Sequence, residues 1–312
     1  MTPEITAIIP THNRRNLLQL TLRSVLNQRG VDLEVVVVDD GSTDDVAAVV
    51  AAFGDQRIRL IRHDRSTGVS TARNHGAEVA RGDWLAFCDD DDLWSPHKLA
   101  RQLAAAAAAR CTWSYGGAVF INSTQRITSG QPPPTPERLV ERLPSANMMP
   151  GGSSNAIVKS AMFRTAGEWD RELVNLADWD LWIRLARLGM PACVEEPLVG
   201  YRIHSGNASL NIPLILREAR LLDGRYDNRV DYGEVHHYLA WVCLRAGRRR
   251  LAAAHFARAV FHGEIAPVGR SAAAIARAQL RRLLKDPIPF NPNPAWCQRA
   301  ETWMAELNAP IL

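Results

Sequence analysis

Within the first ninety residues, four short apolar runs alternate with helical patterns, and nothing else in the 312-residue chain narrows its fold as much. Residues 5–9 form an apolar run that Pro10 stops, and 33–38 are nearly continuous in valine, as in a strand covered on both faces. Residues 57–62 and 83–88 complete the series. Between these runs, 14–28 carries Leu17, Leu18, Leu22, Val25 and Leu26 at helical spacing. A second helix is expected over 44–53, with Ser42 or Thr43 as its cap, and a third over 69–80. Such alternation predicts an α/β domain built on a parallel sheet. Ligands of these sheets bind beyond the carboxyl ends of the strands. Three polar clusters fall there: Thr11-His12-Asn13-Arg14, Asp39-Asp40-Gly41-Ser42 and Asp89-Asp90-Asp91-Asp92. The last sits between Phe87-Cys88 and Leu93-Trp94. Four adjacent like charges repel, and apolar flanks make each costly to bury, so this run calls for a counter-charge.

Further along, the pattern predicts a helix over 96–110, a strand over 113–121 and a proline-rich irregular loop over 131–136. Residues 151–154 read as flexible and polar, and 155–158 as a short run. Leu181, Trp182, Leu185 and Leu188 mark a helix over 178–188, and 199–203 reads as an edge strand. Beyond about 210 the composition shifts to Ala, Leu and Arg, with helices expected over 214–222, 232–246, 249–262 and 271–284. We place the boundary there, giving a domain over 1–210 and a helical region over 211–312. Residues 241–258 resemble one helix hairpin of a tetratricopeptide type, short of the about three such units a repeat fold needs. A net charge of +4 gives no argument for nucleic acid. Five scattered cysteines without a CxxC read as reduced thiols of a cytosolic protein. The first residues lack a signal-peptide pattern, and no stretch reaches the ~20 apolar residues of a membrane span. The expectation is a cytoplasmic protein, free to rest on the inner face of a membrane.

Five segments carry a resemblance: Ile8-Ile9-Pro10-Thr11-His12-Asn13-Arg14, Val37-Val38-Asp39-Asp40-Gly41-Ser42-Thr43-Asp44, Gly68-Val69-Ser70-Thr71-Ala72-Arg73-Asn74, Asp89-Asp90-Asp91-Asp92 and Asp178-Trp179-Asp180-Leu181-Trp182. In this order and spacing the chain closely resembles the family 2 inverting glycosyltransferases over roughly residues 4–205. The last hundred residues are not covered. The resemblance implies a GT-A fold, a Rossmann-like mixed sheet flanked by helices. It also implies metal-dependent, inverting transfer of a sugar from a nucleotide-sugar, expected to be a UDP-sugar, to a hydroxyl of a glycan, lipid-linked or small-molecule acceptor. A divalent Mg²⁺ or Mn²⁺ suits the charge of a leaving diphosphate. By similarity Asp91 is the direct metal ligand, with Asp89 and Asp90 nearer the ribose and behind the ion, while Asp92 is read as a cap of the next helix. Pro10, Thr11, His12, Asn13 and Arg14 would lie along the nucleotide. Asp40 would accept a hydrogen bond from uracil N3, a task for an acceptor-only group. Arg73 is expected near the nucleotide or diphosphate, and His204, in Tyr201-Arg202-Ile203-His204-Ser205, on the diphosphate or the metal. Inverting transfer needs one group to take the acceptor proton. The family's Glu-Asp pair is here Ala177-Asp178, so Asp178 is read as the base and Asp180 as its support. Trp179 and Trp182 are assigned to the core, and 151–154 to the acceptor side.

Two rivals remain. A sugar nucleotidyltransferase needs a glycine- and lysine-rich phosphate loop, which 10–14 is not. A binding or scaffold protein could keep the fold and lose turnover, given Ala177. The C-terminal helices read as a lid or dimer surface. Arg248-Arg249-Arg250 and Arg281-Arg282 also suit anionic lipid headgroups, at about 1 kcal/mol per basic residue near the surface.

Overall fold

The computed structural model describes residues 2–204, 206, 207, 210–283 and 294–308. Its first half alternates as expected: β1 (Ile5–Thr11), α1 (Arg15–Leu26), β2 (Leu33–Asp39), α2 (Val46–Phe53), β3 (Ile58–Arg62), α3 (Val69–Val79) and β4 (Trp84–Phe87). These four strands are parallel, with β1 between β2 and β4. Thr11 stands opposite Asp39, and Ile8 opposite Phe87, so the three polar clusters leave the sheet side by side. Gly76 of α3 permits that helix to lie close on β1, because a Cβ there would meet Ile8 Cγ2 at 2.4 Å.

The second half comprises β5 (Leu93–Trp94), α4 (Lys98–Ala109), β6 (Trp113–Ile121), β7 (Ile127–Gln131), α5 (Pro136–Arg142), a single 3₁₀ turn at Gly152–Ser154, β8 (Ile157–Lys159), α6 (Ser160–Thr165), α7 (Ala177–Leu188) and β9 (Ala192–Arg202). Helices α8 (Ile212–Arg225), α9 (Tyr232–Arg245), α10 (Arg249–Phe261), α11 (Ile265–Leu283) and α12 (Pro294–Asn308) follow. The mixed sheet runs β3-β2-β1-β4-β8-β6-β9-β5, with β7 on β6. Several expectations need correction. The strand expected at an edge over 199–203 is the end of β9, which lies inside the sheet between β6 and β5. Helix α2 is capped by Asp45, whose carboxylate accepts from Ala48 N, and not by Ser42 or Thr43. The proline-rich segment is irregular only between Gln131 and Pro136, since Pro136 opens α5, where a missing N–H costs nothing. Ser205 and Leu284, the last residues of two expected segments, lie outside the described residues.

One face of the sheet packs Leu18, Leu22 and Val25 of α1 and Leu99 and Ala106 of α4 against the β1 and β2 side chains. The other holds Phe87, Trp113, Phe163, Trp169, Trp179 and Trp182 in one cluster. Ile215, Leu222, Leu239 and Cys243 of α8 and α9 belong to that same cluster, so the C-terminal helices share the core of the sheet. Helix α12 returns to the strands: Cys297, Ala300, Trp303 and Met304 pack on Leu93, Val119 and Ile121. No helix among the described residues is long and apolar enough to cross a membrane.

Trp303 is 7% exposed and donates its indole N–H to Pro197 O at 3.1 Å. Trp303→Ala should destabilise the chain by about 3 kcal/mol or more, read as a lowered midpoint in urea unfolding. An unchanged midpoint would show that α12 is dispensable to the sheet.

Candidate active site

The four aspartates after β4 are held from several parts of the chain, with Asp90 and Asp91 sharing Arg14. Asp89 accepts from Arg73 and, at 2.8 Å, from Ser153 Oγ. Asp90 accepts from Thr11 Oγ1 at 2.8 Å and from Arg14. Asp91 Oδ2 accepts from Arg14 Nη1 at 2.8 Å and faces His204 Nε2 at 2.9 Å. Asp92 is fully buried and accepts from Ser154 Oγ at 2.6 Å and from the Arg202 backbone N–H at 2.9 Å. It does not cap α4, which has no side-chain cap. The buried Arg202 guanidinium donates to Asp91 O. Burial, and then the Asp91 charge, push the Asp90 and Asp92 carboxyls above the usual range, against the bonds that favour ionisation.

The turn at Gly152–Ser154 is built into this network and is not a loose loop. Ser153 and Ser154 are buried, and Asn155 locks the turn by donating to Gly116 O and Pro150 O while accepting from Gly116 N. Arg73 Nη2 donates to Ser153 Oγ at 2.8 Å, and its guanidinium lies 4.5 Å over the Trp169 ring. Its Nε–H is buried and has no hydrogen-bond partner among the described residues. On the other side of the turn, a Cβ on Gly152 would meet Asp178 Oδ2 at 3.4 Å and Tyr201 Cε2 at 3.9 Å. Gly152 thus stands at ordinary contact distance from Asp178 and Tyr201, and its φ of 55 is what favours glycine there.

Asp178 stands in the first turn of α7 and accepts from Trp179 N at 2.7 Å. Burial pushes its carboxyl up to about 6, against the bond from Trp179 and the nearby Arg73, and with the Asp89 charge adding to the rise. The loop before α7 is fixed from the far end of the chain. Glu218 of α8, 1% exposed, accepts from the backbone N–H groups of Val174, Asn175 and Leu176. Asp180 points away from the site: it pairs with Arg184 and accepts from Tyr226 Oη at 2.7 Å. Trp179 and Trp182 are buried.

At the end of β2, the Asp40 carboxylate is held by five donors: His63 Nδ1, Ser66 Oγ, the backbone N–H and hydroxyl of Thr67, and Gly68 N. These bonds outweigh burial and bring it down to about 2. Asp40 is thus spent on shaping the loop that leads into α3. At the end of β1, Pro10 and Thr11 are buried, while His12 and Asn13 in the loop that follows are exposed. His12 Nδ1 meets Asp40 O at 2.8 Å, and Asn13, at φ 55, bonds to Thr43. Arg14 Nη2 also reaches Gly206 O.

Asp89, Asp91 and Asp92 each offer an oxygen, and these atoms all lie within 4.8 Å of one another. An oxygen-only set suits Mg²⁺ or Mn²⁺, so the residues present fit such an ion. The structure thus gathers Thr11, Arg14, Arg73, Asp89, Asp90, Asp91 and His204 in one network, with Asp178 across Gly152 from it. It adds Asp92, expected only as a helix cap, and Arg202, and it ties Ser153 and Ser154, expected on the acceptor side, to Asp89 and Asp92. Arg202 was visible two residues before His204. The serines had no signal beyond their glycine neighbours.

Residues 6–166 match the family model described as glycosyl transferase family 2. The chain is 44% identical over 107 residues to the succinoglycan biosynthesis protein ExoO of Rhizobium meliloti, covering 34% of this chain and 31% of that protein. It therefore spans about a third of that relative's length. It is 26% identical over 221 residues to the Escherichia coli enzyme named UDP-Glc:alpha-D-GlcNAc-diphosphoundecaprenol beta-1,3-glucosyltransferase WfaP, covering 70% of this chain and 85% of the other. Staphylococcus aureus TarS 1–349, solved with UDP-GlcNAc, has a TM-score of 0.55 at 17% identity, over 78% of this chain and 72% of that one. At that identity the likeness shows the shared fold alone.

The Asp40 lock has a pH signature. A carboxyl depressed from 3.8 to about 2 stabilises the fold above the unfolded value, and that stability is lost as pH falls from about 4 toward 2. Asp40→Asn should cost about 2 kcal/mol at neutral pH, and parent and variant should converge in acid. Equal chemical stabilities at pH 7 would contradict the assignment.

Proposed function

This chain belongs to glycosyl transferase family 2, and from that premise we propose that it transfers a sugar, with inversion, from a UDP-sugar to a hydroxyl of a lipid-linked glycan. The observation that carries this reading is Asp178. It is a partly buried carboxyl poised at about 6, beside Gly152, and within electrostatic reach of Arg73 and Asp89. A base of that basicity is largely ionised at neutral pH, and proton removal of this kind is worth about 10²–10⁴ in rate. The choice of donor and acceptor draws on the relatives: TarS was solved with UDP-GlcNAc, and WfaP is named for UDP-Glc and a diphosphoundecaprenol-linked acceptor.

In this reading Asp178 takes the proton from the acceptor hydroxyl as its oxygen attacks the anomeric carbon. Trp179 N and the Glu218-held loop keep the carboxylate aimed. Arg73 turns its spare Nε–H toward the diphosphate. A Mg²⁺ or Mn²⁺ held by Asp89, Asp91 and Asp92 would neutralise charge gathering on the leaving group. Arg14 and His204, both within bonding distance of Asp91, stand beside the diphosphate. Pro10, Thr11, His12 and Asn13 line the nucleotide. We assign Asp40 to the loop and not to uracil N3, because its lone pairs are taken by the five donors. Tyr201, beside Gly152 and stacked edge-on with Phe120, offers the acceptor an aromatic wall. We place the protein in the cytoplasm, where it meets a membrane-borne acceptor at the inner face.

The test pairs donor binding with turnover. A thermal-shift screen of nucleotide-sugars with Mn²⁺ should find one that stabilises the fold by about 2.7 kcal/mol at a hundred times its dissociation constant. Asp91→Asn should remove the metal-dependent part of that shift. Asp178→Asn should keep the shift and lose about 10²–10⁴ of the transfer rate. For the parent, rate should rise with pH through about 6 as the carboxylate ionises. Full activity in Asp178→Asn would rule out the base, and pyrophosphate release from a sugar 1-phosphate and a nucleoside triphosphate would favour a nucleotidyltransferase.

A further inference from the structure

Charge and exposed apolar surface coincide at one place far along the chain. Between Arg245 and Leu284 the sequence has nine arginines and one carboxylate, Glu264, although the whole chain carries only +4. Helix α10 buries Ala252, His255 and Ala259 on one side. Its other side presents Arg250, Ala254, Ala257, Arg258 and Phe261 at helical spacing, all exposed. Phe261 is 87% exposed and Ile265, at the start of α11, 68%, the two highest values among the large apolar side chains described. Arg248 and Arg249, at the start of α10, and Arg270, on α11, are exposed as well. Glu264 is turned inward, half-buried among Asp231, Glu234 and His237.

We propose that the α10 face and the turn from Phe261 to Ile265 dock this protein on an anionic lipid bilayer. Apolar side chains standing out of a basic face are what an interfacial helix inserts below the headgroups, and the arginines then meet lipid phosphates. A nucleic acid would use the arginines but gains nothing from Ile265. The proposal rests on the reading above only in expecting a lipid-linked acceptor. α10 packs on α9, and Val235, Leu239 and Cys243 of α9 share one buried cluster with Trp179 and Trp182 of α7, the helix whose first turn carries Asp178. Docking by α10 thus turns the side of the sheet that carries α7 toward the bilayer.

Co-sedimentation of the full chain with phosphatidylglycerol-containing and pure phosphatidylcholine vesicles tests this. The parent should partition onto the anionic vesicles and be weakened by salt. Phe261→Ser with Ile265→Ser, and separately Arg249→Gln, Arg250→Gln and Arg258→Gln together, should each lower the partition about tenfold. Both variants should keep the parent's unfolding midpoint and its thermal shift with nucleotide-sugar. The proposal is overturned if the parent stays in the supernatant, or if both variants partition as it does. It is overturned equally if the apolar variant breaks a dimer of the parent, or if an oligonucleotide, and not the vesicle, takes up the basic face. Vesicle binding without any nucleotide-sugar shift would keep the docking face and remove the donor reading. The reverse result would do the opposite.

Discussion

The structure turns on how one strand end tolerates four consecutive carboxylates. Isolated, they would repel and resist burial. They are instead bonded from several parts of the chain at once: Arg14 after β1, Arg73 on α3, the serines of the Gly152–Ser154 turn, and Arg202 and His204 at and just after the end of β9. Two of the aspartates remain raised by burial and by one another. Segments far apart in sequence are thereby drawn to the same few ångströms. The pair of half-sheets, parallel before β4 and mixed after it, is the frame that lets them meet.

Just beneath lies a second charge, also taken out of water. Lys98 is fully buried, 4.2 Å over the Trp94 ring and bonded to Gln102, and burial pushes it down to about 7. Cys88 next to it is pushed up by burial and by the aspartates. The floor of the site thus combines groups held near neutrality with a surface layer whose charges are paired, an arrangement that keeps the acidic run from repelling its own foundation.

The parallel half was legible because its strands are apolar runs, valine-rich in β2, that alternate with helical patterns; strand ends then located the ligand side. What escaped was set by distant contacts. β5 has two residues and exists because Leu93 and Trp94 find Gly200 and Val199 of β9. β7 carries Gly and Gln and is held by β6 and α12. Asp92 looked like a helix cap because its real partners, Ser154 and Arg202, are 62 and 110 residues away. The donors on Asp40 escaped because most of them come from a loop with no pattern of its own. The family motif marked which side chains converge, but not how their hydrogen-bonding capacity is divided.

The Glu218 anchor bears on how such a protein can diversify. The loop carrying Asp178 owes its shape to three backbone bonds to a helix beyond residue 211. A lineage that exchanged everything after β9 for another tail would lose that clasp on the loop before Asp178, even with every motif intact. Recombination at that seam is therefore tolerated only when the incoming segment brings its own carboxylate to the same three amides.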